Sequence, residues 1–340
     1  WSDRGGKMSP SRLAPHTTPR HVLQLRVCSF VGLVLGFVSV FHLNVSVLLD
    51  HNTPMLQNFK SSGFYGKALL VRATPNGLTE PSISRMLDWS RSLIVQGVDC
   101  HVSLDLTFPS SSKAWQSRSR RLEASGWILH TFSEHDLLQA FAGLHQVKTK
   151  LTSTFKKPVG GKLGTLHATS LGWCCHNQPI ILWWRFVRRT YQSVWVLESD
   201  VGFSGNISKL FSAFAETGGD LVACGLKQRK PDWVRYRVTT ERFAKRFPVR
   251  WFVKEHALLM SERLLETMEE ASMRDEMGYS EMTLPTLVLG SNGTLIFKSL
   301  CDFVGSSYGW DQKISEDEWH IIITSQNPLL QNKLWHALKY

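Results

Sequence analysis

The segment that decides the fold reads Tyr191-Gln-Ser-Val-Trp-Val-Leu-Glu-Ser-Asp-Val-Gly-Phe-Ser-Gly205. Its apolar run, Val194 to Leu197, predicts a buried strand that ends directly in Glu198-Ser-Asp200. Residues 198 and 200 lie on the same side if the strand continues, because side chains alternate along a strand. Ligands gather at the carboxyl ends of strands in parallel α/β sheets. The two carboxylates therefore indicate either a site for Mn²⁺ or Mg²⁺ or a solvated strand end.

The chain before this segment alternates between strand and helix patterns. Lys67 to Arg72 and Val98 to Leu106 predict two buried strands, and the apolar spacing from Ser82 to Gln96 predicts the helix that joins them. A third strand is predicted from Gly126 to Phe132, followed by a helix from Glu134 to Val147. Strand, helix and strand at this spacing predict an α/β fold in which a mostly parallel sheet is flanked by helices.

The N-terminal part of the sequence has the pattern of a membrane anchor. Residues 27–49 form a run of 23 residues without a formal charge, long enough to cross ~30 Å of hydrocarbon as a transmembrane helix. The basic residues before it predict a cytosolic tail over residues 1–26, a short stem over 50–65 and a luminal domain over 66–340. This is the pattern of a single-pass type II protein of the Golgi or endoplasmic reticulum membrane, where nucleic acid is not an expected partner. A cleaved signal peptide and a buried core helix are the alternatives.

The whole phrase around the two acids resembles a known family. The predicted helix over residues 177–190 and the following Val-Trp-Val-Leu-Glu-Ser-Asp-Val are similar to the metal-site strand of GT-A-fold glycosyltransferases, whose acidic D-x-D-type motif binds a divalent ion and a nucleotide-sugar diphosphate. Glutamate stands here at the first acidic position, which departs from that motif. Residues 251–265 and 279–286 resemble the acceptor-side half of such enzymes. The resemblance implies a GT-A-like, Rossmann-related fold with a nucleotide-sugar half over about 66–225 and an acceptor half over about 226–340.

The resemblance also implies an activity and roles for individual residues. It predicts a metal-dependent glycosyltransferase that moves a sugar from a nucleotide-sugar donor to a hydroxyl acceptor on a glycan, a protein or a lipid. Asp200 and Glu198 would hold Mn²⁺ or Mg²⁺ against the diphosphate. Glu281 would take the proton from the acceptor hydroxyl, although a carboxylate at a helix start also suits a helix cap. His320 or His336 would add a metal ligand.

Basic residues are concentrated in one stretch of the chain. The sequence carries 39 Lys and Arg against 28 Asp and Glu, a formal net charge of +11. Residues 226–250 alone hold nine bases and two acids. Because this stretch follows a predicted strand, we expect Lys227, Arg229 and Lys230 to bind the phosphates of the donor. An acidic acceptor and a plain exposed basic surface are the alternatives.

Two other classes of function fit parts of the sequence. Gly305-Ser-Ser-Tyr-Gly309 matches the nucleophile elbow of serine hydrolases at Ser307, with acids and histidines following in the expected order. The 31 residues after Gly309 are short for the strands and helices that carry the rest of such a site. A non-catalytic, glycosyltransferase-like binding protein is the third class, and the glutamate at position 198 is its only hint. Five cysteines beyond the predicted anchor allow one or two disulfides, whose pairing the sequence leaves open.

Overall fold

The strand that precedes Glu198 lies in the middle of a seven-stranded sheet. The computed structural model describes residues 66–108, 113–155, 169–215, 217–306, 308–309 and 313–338. Its strands are β1 (Lys67–Ala73), β2 (Asp99–Asp105), β3 (Ile128–Phe132), β4 (Ser193–Glu198), β5 (Gly202–Phe203), β6 (Leu221–Arg229), β7 (Arg250–Ser261), β8 (Phe297–Ser299) and β9 (Leu334–Trp335). The large sheet has the order β3-β2-β1-β4-β7-β6-β8, and β5 pairs with β9 in a separate two-stranded sheet.

The first four strands run parallel to one another. β1 pairs with both β2 and β4, and β2 pairs with β3. Their carboxyl ends therefore lie at one edge of the sheet, and the register places Arg72 of β1 beside Glu198 of β4. This arrangement confirms the predicted α/β architecture with a mostly parallel sheet.

The other half of the sheet contains an antiparallel hairpin. β7 pairs antiparallel with β4, and β6 pairs antiparallel with β7. The register joins Leu197 to Ala257, so residues 250–256 of β7 extend past the carboxyl end of β4. The carboxyl half of β6 accompanies them, because Arg229 pairs with Arg250. The hairpin thus projects from the edge where Glu198 lies.

Helices cover both faces of the sheet. They are α1 (Glu80–Leu93), α2 (Ala114–Glu123), α3 (Glu134–Ala140), α4 (Leu144–Thr154), α5 (Leu171–Cys174), α6 (Asn177–Phe186), α7 (Ser208–Ala213), α8 (Glu241–Arg246), α9 (Glu262–Met273), α10 (Ser280–Leu289) and α11 (Glu316–Thr324). Alternation along the strands divides the core into two layers. Leu70 and Val196 belong to the layer that includes α6, and Leu69 and Leu197 belong to the layer that includes α1.

Local chemistry explains where the helices begin and end. The side chain of Thr79 accepts a hydrogen bond from the Ser82 amide at the start of α1, which satisfies one of the amides that a helix leaves unpaired. The single helix predicted from Glu134 to Val147 is interrupted, because Phe141 adopts an extended backbone conformation between α3 and α4. α6 ends at Phe186, and Arg188 soon after it has a positive φ, so the helix predicted to residue 190 is four residues shorter.

The described residues all belong to one unit, Phe59–Tyr340. The predicted tail, anchor and stem, residues 1–65, lie outside the described residues. None of the helices that the structure describes combines the length and the apolar character needed to cross a membrane. Cys224 and Cys301 form a disulfide, and this pair resolves part of the pairing that the sequence left open.

Candidate functional site

A cavity of about 560 Å³ opens at the edge where the first four strands end. Residues at the carboxyl ends of all four strands line it, together with the loop after β1 and the chain around α5. The lining residues that matter below are Arg72, Arg85, Asp105, His176, Glu198 and Asp200. This is the position at which parallel α/β sheets bind ligands, since loops of several strands converge there.

Glu198 is the centre of a buried cluster of charges at the cavity wall. Its Oε1 accepts a hydrogen bond from Nη2 of Arg72 at 3.0 Å, and its Oε2 lies 2.8 Å from Nδ1 of His256 and 3.1 Å from Nε2 of His336. Burial alone would raise the pKa of Glu198, but His256, His336 and Arg72 together hold it well below its usual value. The carboxylate is therefore ionised although only 7% of the residue is exposed.

His336 reaches this cluster from the far C-terminal part of the described chain. The pairing of β9 with β5 and a hydrogen bond from the Leu338 amide to the Asp200 carbonyl, 2.9 Å, hold its segment against the end of β4. The Nδ1 atom of His336 lies 3.0 Å from the Gly309 carbonyl, so Nδ1 carries the proton that it donates there. The Nε2 atom then faces Glu198 and also lies 3.5 Å from Oδ1 of Asp200.

Three side chains of the cluster form a set of metal-binding atoms. One ligand atom each from Glu198, His256 and His336 lies within 4.8 Å of the others, and the two imidazole rings stack with their centroids 3.5 Å apart. Burial lowers the pKa of His256 and favours its neutral form, which is the form that binds metals. A carboxylate with two imidazoles and a second carboxylate nearby, Asp200, suits Mn²⁺ and other divalent first-row ions. The residues present therefore fit a divalent cation.

Two arginines bring positive charge to a cavity wall that also holds the carboxylates of Asp105, Glu198 and Asp200. Arg72 also donates to the Glu255 carbonyl at 2.9 Å, and Arg85 donates to the Ser199 carbonyl at 2.6 Å, which fixes the turn between the two acids. The Nε and Nη1 atoms of Arg72 are buried and make no hydrogen bond to other described residues. Buried donors of this kind are costly unless a ligand or water satisfies them. Guanidinium donors suit phosphate oxygens.

The opposite wall of the cavity contains a carboxylate in close contact with a glycine. Asp105 ends β2 and accepts a hydrogen bond from the Thr107 amide at 2.8 Å. A Cβ atom added to Gly172, on α5, would lie 2.0 Å from Oδ2 of Asp105. Only glycine allows α5 to approach the end of β2 this closely. The glycine thus sets the width of the cavity at this wall.

His176 joins the cavity to a buried acid behind it. Its Nδ1 atom lies 3.0 Å from Oε2 of Glu255. Burial raises the pKa of Glu255 to about 8, and burial lowers the pKa of His176 well below its usual value. Both groups are therefore neutral at pH 7, and the Glu255 carboxyl keeps a proton that it can donate to the ring.

The predicted metal residues are only partly brought together. Glu198 and Asp200 both line the cavity, and His336 accompanies them. His320, the other histidine considered, lies on the exposed helix α11 beside a separate groove that includes Trp319. The distance between His320 and the cavity has a structural reason. α11 packs on the molecule through Trp319 and Ile322, and the chain returns to the end of β4 only at β9.

The other predicted site residues do not line the cavity among the described residues. Glu281 is 2% exposed on α10 and forms an ion pair with Arg235 at 3.3 Å, so its surroundings do not place it where an acceptor hydroxyl would lie. Lys227, Arg229 and Lys230 lie at and just beyond the outer end of β6. The guanidinium of Arg229 covers the ring of Phe252 at 4.3 Å, which is a packing role.

Sequence reasoning missed three residues of the site: Arg72, Arg85 and His256. Arg72 carried a usable signal, because a charged residue at the end of a predicted parallel strand lies at the same edge as Glu198. His256 gave no such signal, since it follows Lys254 and Glu255 in the middle of an antiparallel strand and not at a strand end. Ser307, the nucleophile of the hydrolase alternative, lies outside the described residues. His336, a candidate histidine for that reaction, is engaged with Glu198.

Comparisons with known proteins give the following similarities. No model of a known protein family matches the sequence, and neither does the sequence of any curated protein. Mouse xyloside xylosyltransferase 1 in its apo form is 12% identical, with a TM-score of 0.35 over 80% of this chain and 97% of that chain. Core-mannan synthase A from Aspergillus fumigatus, in its Mn/GDP form, is 11% identical, with a TM-score of 0.44 over 72% of this chain and 74% of that chain. The 4-diphosphocytidyl-2C-methyl-D-erythritol synthase from Anaerococcus prevotii is 9% identical, with a TM-score of 0.37 over 69% of this chain and 88% of that chain. Similarity at this level does not decide the activity, which depends on the site itself.

Proposed function

We propose that the protein is a glycosyltransferase that moves a sugar from a nucleotide-sugar donor to an acceptor hydroxyl group. One observation carries the proposal: the buried cluster of Glu198, His256 and His336 adjoins a cavity at the carboxyl edge of four parallel strands. Together with Asp200, this cluster supplies the carboxylate and imidazole atoms that a divalent cation prefers. The cavity beside it has the size and the position of a ligand site.

The cluster would hold a divalent ion, Mn²⁺ or Mg²⁺. Such an ion supplies positive charge that stabilises a diphosphate as it becomes a leaving group. Arg72 fixes the carboxylate of Glu198 by a charge-assisted hydrogen bond at 3.0 Å. Arg85 fixes the backbone between Glu198 and Asp200. The ligand atoms are therefore oriented by neighbouring groups before any ion binds.

The chain's own residues would bind and orient the donor. Arg72 lines the cavity, and its Nε and Nη1 donors have no hydrogen-bond partner among the described residues. Phosphate oxygens are the acceptors that match a guanidinium group. Asp105, at the other wall, offers carboxylate oxygens that suit hydroxyl groups of a sugar or a ribose. Excluding water from such a site strengthens both contacts.

A melting experiment on the full chain tests this function. The denaturation midpoint is measured with a panel of nucleotide sugars, each with Mn²⁺ and with a chelator. We expect one donor class to raise the midpoint with Mn²⁺ and to have little effect with the chelator, because ligand at 100 times its Kd adds ~2.7 kcal/mol of stability. Asp200→Asn should lose the shift, and Asp302→Asn, at an exposed position outside the cavity, should keep it. No shift with any nucleotide sugar or nucleoside diphosphate would reject the proposal.

We infer that the enzyme works in the secretory pathway, anchored by residues 27–49 with the catalytic domain in the lumen. The Cys224–Cys301 disulfide supports an oxidising compartment. Asn206 and Asn292 stand in glycosylation sequons and are exposed. Enzymatic removal of N-glycans from the cellular protein should lower its mass, and Asn292→Gln should reduce that change. A protein of unchanged mass in the soluble fraction of the cell would contradict this location.

A further inference from the structure

The outer half of the β6–β7 hairpin carries a concentration of basic residues that the donor site does not use. We call residues 224–254 the basic arm: the carboxyl half of β6, the connection to β7 and the amino half of β7. The connection folds back on itself, since the Tyr236 hydroxyl donates to the Pro248 carbonyl at 2.6 Å and Arg250 donates to the Tyr236 carbonyl. The bases of this stretch are therefore held together at one end of the hairpin.

Several bases of the arm have no acidic partner among the described residues. Arg235 and Arg246 are paired with Glu281 and Glu276. The exposed bases of the arm for which the structure shows no ion pair are Lys227, Lys230, Arg237, Arg242 and Lys245. The two acids of the segment 226–250 are outnumbered by its nine bases. This surface keeps a positive field that attracts polyanions.

The arm is connected to the donor site by one row of contacts. Lys227 pairs across the hairpin with Phe252, and cross-strand partners lie on the same face. Lys254, two residues further along β7, lies on that face as well, and its Nζ donates to the Tyr308 carbonyl at 2.6 Å. The Tyr308 ring contacts the ring of His256 at 5.3 Å between centroids.

The row leads from the arm to the buried carboxylate of Glu198. His256, its last member, lies 2.8 Å from Glu198. His256 lies four residues after Phe252, ~13 Å along the strand at 3.3 Å per residue. His256 and Tyr308 are buried, so the row is a packed link within the protein. Because residues 250–256 extend past the carboxyl end of β4, the arm lies at the edge of the sheet where the cavity opens.

We propose that the basic arm binds a polyanionic glycan, one carrying sulfate or carboxylate groups, and directs a hydroxyl group of that glycan to the cavity. This acceptor class rests on the proposed function, whereas binding at the arm does not. Exposed lysines and arginines recognise the anionic groups of such chains, as in heparin-binding patches. The half-buried side chain of Trp251 adds apolar surface beside the bases. The arm would therefore select the acceptor by its negative charge, and the cavity would select the donor.

A pair of matched triple variants tests the arm. Lys227→Glu, Lys230→Glu and Arg237→Glu reverse three exposed bases of the arm. Arg120→Glu, Lys209→Glu and Lys313→Glu reverse three exposed bases elsewhere and give the same change in net charge. Binding of the full chain to heparin is measured at several salt concentrations. We expect the arm variant to bind roughly tenfold or more weakly with a reduced salt dependence, and the control variant to bind much more tightly than the arm variant.

The other outcomes separate this inference from the proposed function. Equal heparin binding by the two variants would overturn the arm as the binding surface. A glycan would be overturned as the partner if vesicles of anionic phospholipid bound the arm as tightly as heparin does. Displacement of heparin by duplex DNA at equal charge would overturn it as well. If the arm variant keeps the donor-dependent midpoint shift while heparin binding falls, both proposals stand. If heparin binding depends on the arm but no nucleotide sugar shifts the midpoint, the arm remains a glycan-binding surface and the proposed function fails.

Discussion

Glu198 contacts Arg72, His256 and His336 and is 7% exposed, whereas Lys227 and Lys230 of the basic arm are exposed and have no acidic partner among the described residues. The two regions share one edge of the sheet. In the first, each charge is fixed by another charge or by a hydrogen bond. In the second, the charges remain hydrated and movable.

This difference separates two uses of charge. A buried network is preorganised, so it can hold an ion in a defined geometry, and breaking it leaves an unpaired charge away from water. An exposed set of bases contributes little to folding and acts through its field on a distant ligand. Mutations in the cavity should therefore change the stability of the fold and the rate of sugar transfer. Mutations in the arm should change the rate and the affinity of ligand binding.

The largest effect is expected for Glu198→Ala. The substitution leaves Arg72 buried without its counter-ion, and loss of one partner of a buried pair costs ~3–5 kcal/mol. Urea denaturation should show this loss in the free energy of unfolding. Glu266→Ala, which removes an exposed carboxylate from α9, serves as the matched control. A Glu198→Ala protein as stable as the control would contradict the description of this cluster as a buried network.

Asp200→Asn should reduce the rate of sugar transfer much more than the stability of the fold. The side chain is 20% exposed and faces the cavity, so the substitution removes a charge without emptying a packed site. We expect sugar transfer to fall at least ~100-fold, equivalent to about 2.7 kcal/mol in the barrier, while the free energy of unfolding changes by less than ~0.5 kcal/mol. Initial rates and denaturation curves of the same preparation measure both. Full activity in this variant would remove Asp200 from the site.

Gly172→Ala tests the close contact at the cavity wall. The new methyl group would lie 2.0 Å from Oδ2 of Asp105, so α5 or the end of β2 must shift, at a cost of ~1–3 kcal/mol. Gly309→Ala is the control, because the nearest atom to its added Cβ, Nζ of Lys254, is 3.8 Å away. Equal denaturation midpoints for the two variants would show that the wall is more adaptable than the structure indicates.

A smaller effect is expected from pH through a chain of hydrogen bonds that includes the buried His101 of β2. The Tyr191 hydroxyl donates to Asp99 at 2.8 Å, His101 donates to Tyr191 at 2.8 Å, and His130 donates to His101 at 3.0 Å. Burial, with a smaller effect of His130, lowers the pKa of His101 to about 3. Below pH 6.5 the unfolded chain binds a proton that the folded chain does not, so folding stability falls as the pH decreases.

Between pH 6.5 and 5.5 this loss should amount to about 1 kcal/mol for His101. Denaturation curves at the two pH values measure it, and His101→Gln should reduce the difference. His135→Gln, at an exposed position on α3, is the control. A pH dependence that is the same in both variants would show that other groups cause it.

The smallest effect on stability is expected for a substitution in the basic arm. Lys227→Ala removes an exposed charge without an acidic partner among the described residues, so the free energy of unfolding should change by less than ~0.5 kcal/mol. The same variant should weaken heparin binding measurably. A large loss of stability would show that the arm is part of the packed structure and would remove the contrast with the cavity.

The sequence predicted the parallel half of the sheet well because each of its strands is a short apolar run with turn residues beside it. The position of Glu198 and Asp200 at a strand end followed from the same pattern. The partners of Glu198 were harder to predict. Arg72 offered only its place at a strand end, His336 was one of two candidate histidines, and no local pattern joined His256 to the site. Glu281 shows the opposite case: its place at a helix start was visible in the sequence, but its burial against Arg235 depends on tertiary packing.

The long chain separations within the cluster have a consequence for biosynthesis. Glu198 meets Arg72 across 126 residues and His256 across 58 residues, and contacts of this kind form only after large loops have closed. A partly folded chain thus lacks the assembled pocket, and any small molecule that fills it recognises the finished protein alone. Such a compound would shift the folding equilibrium of slowly maturing variants towards the native state and increase the amount of folded protein in cells.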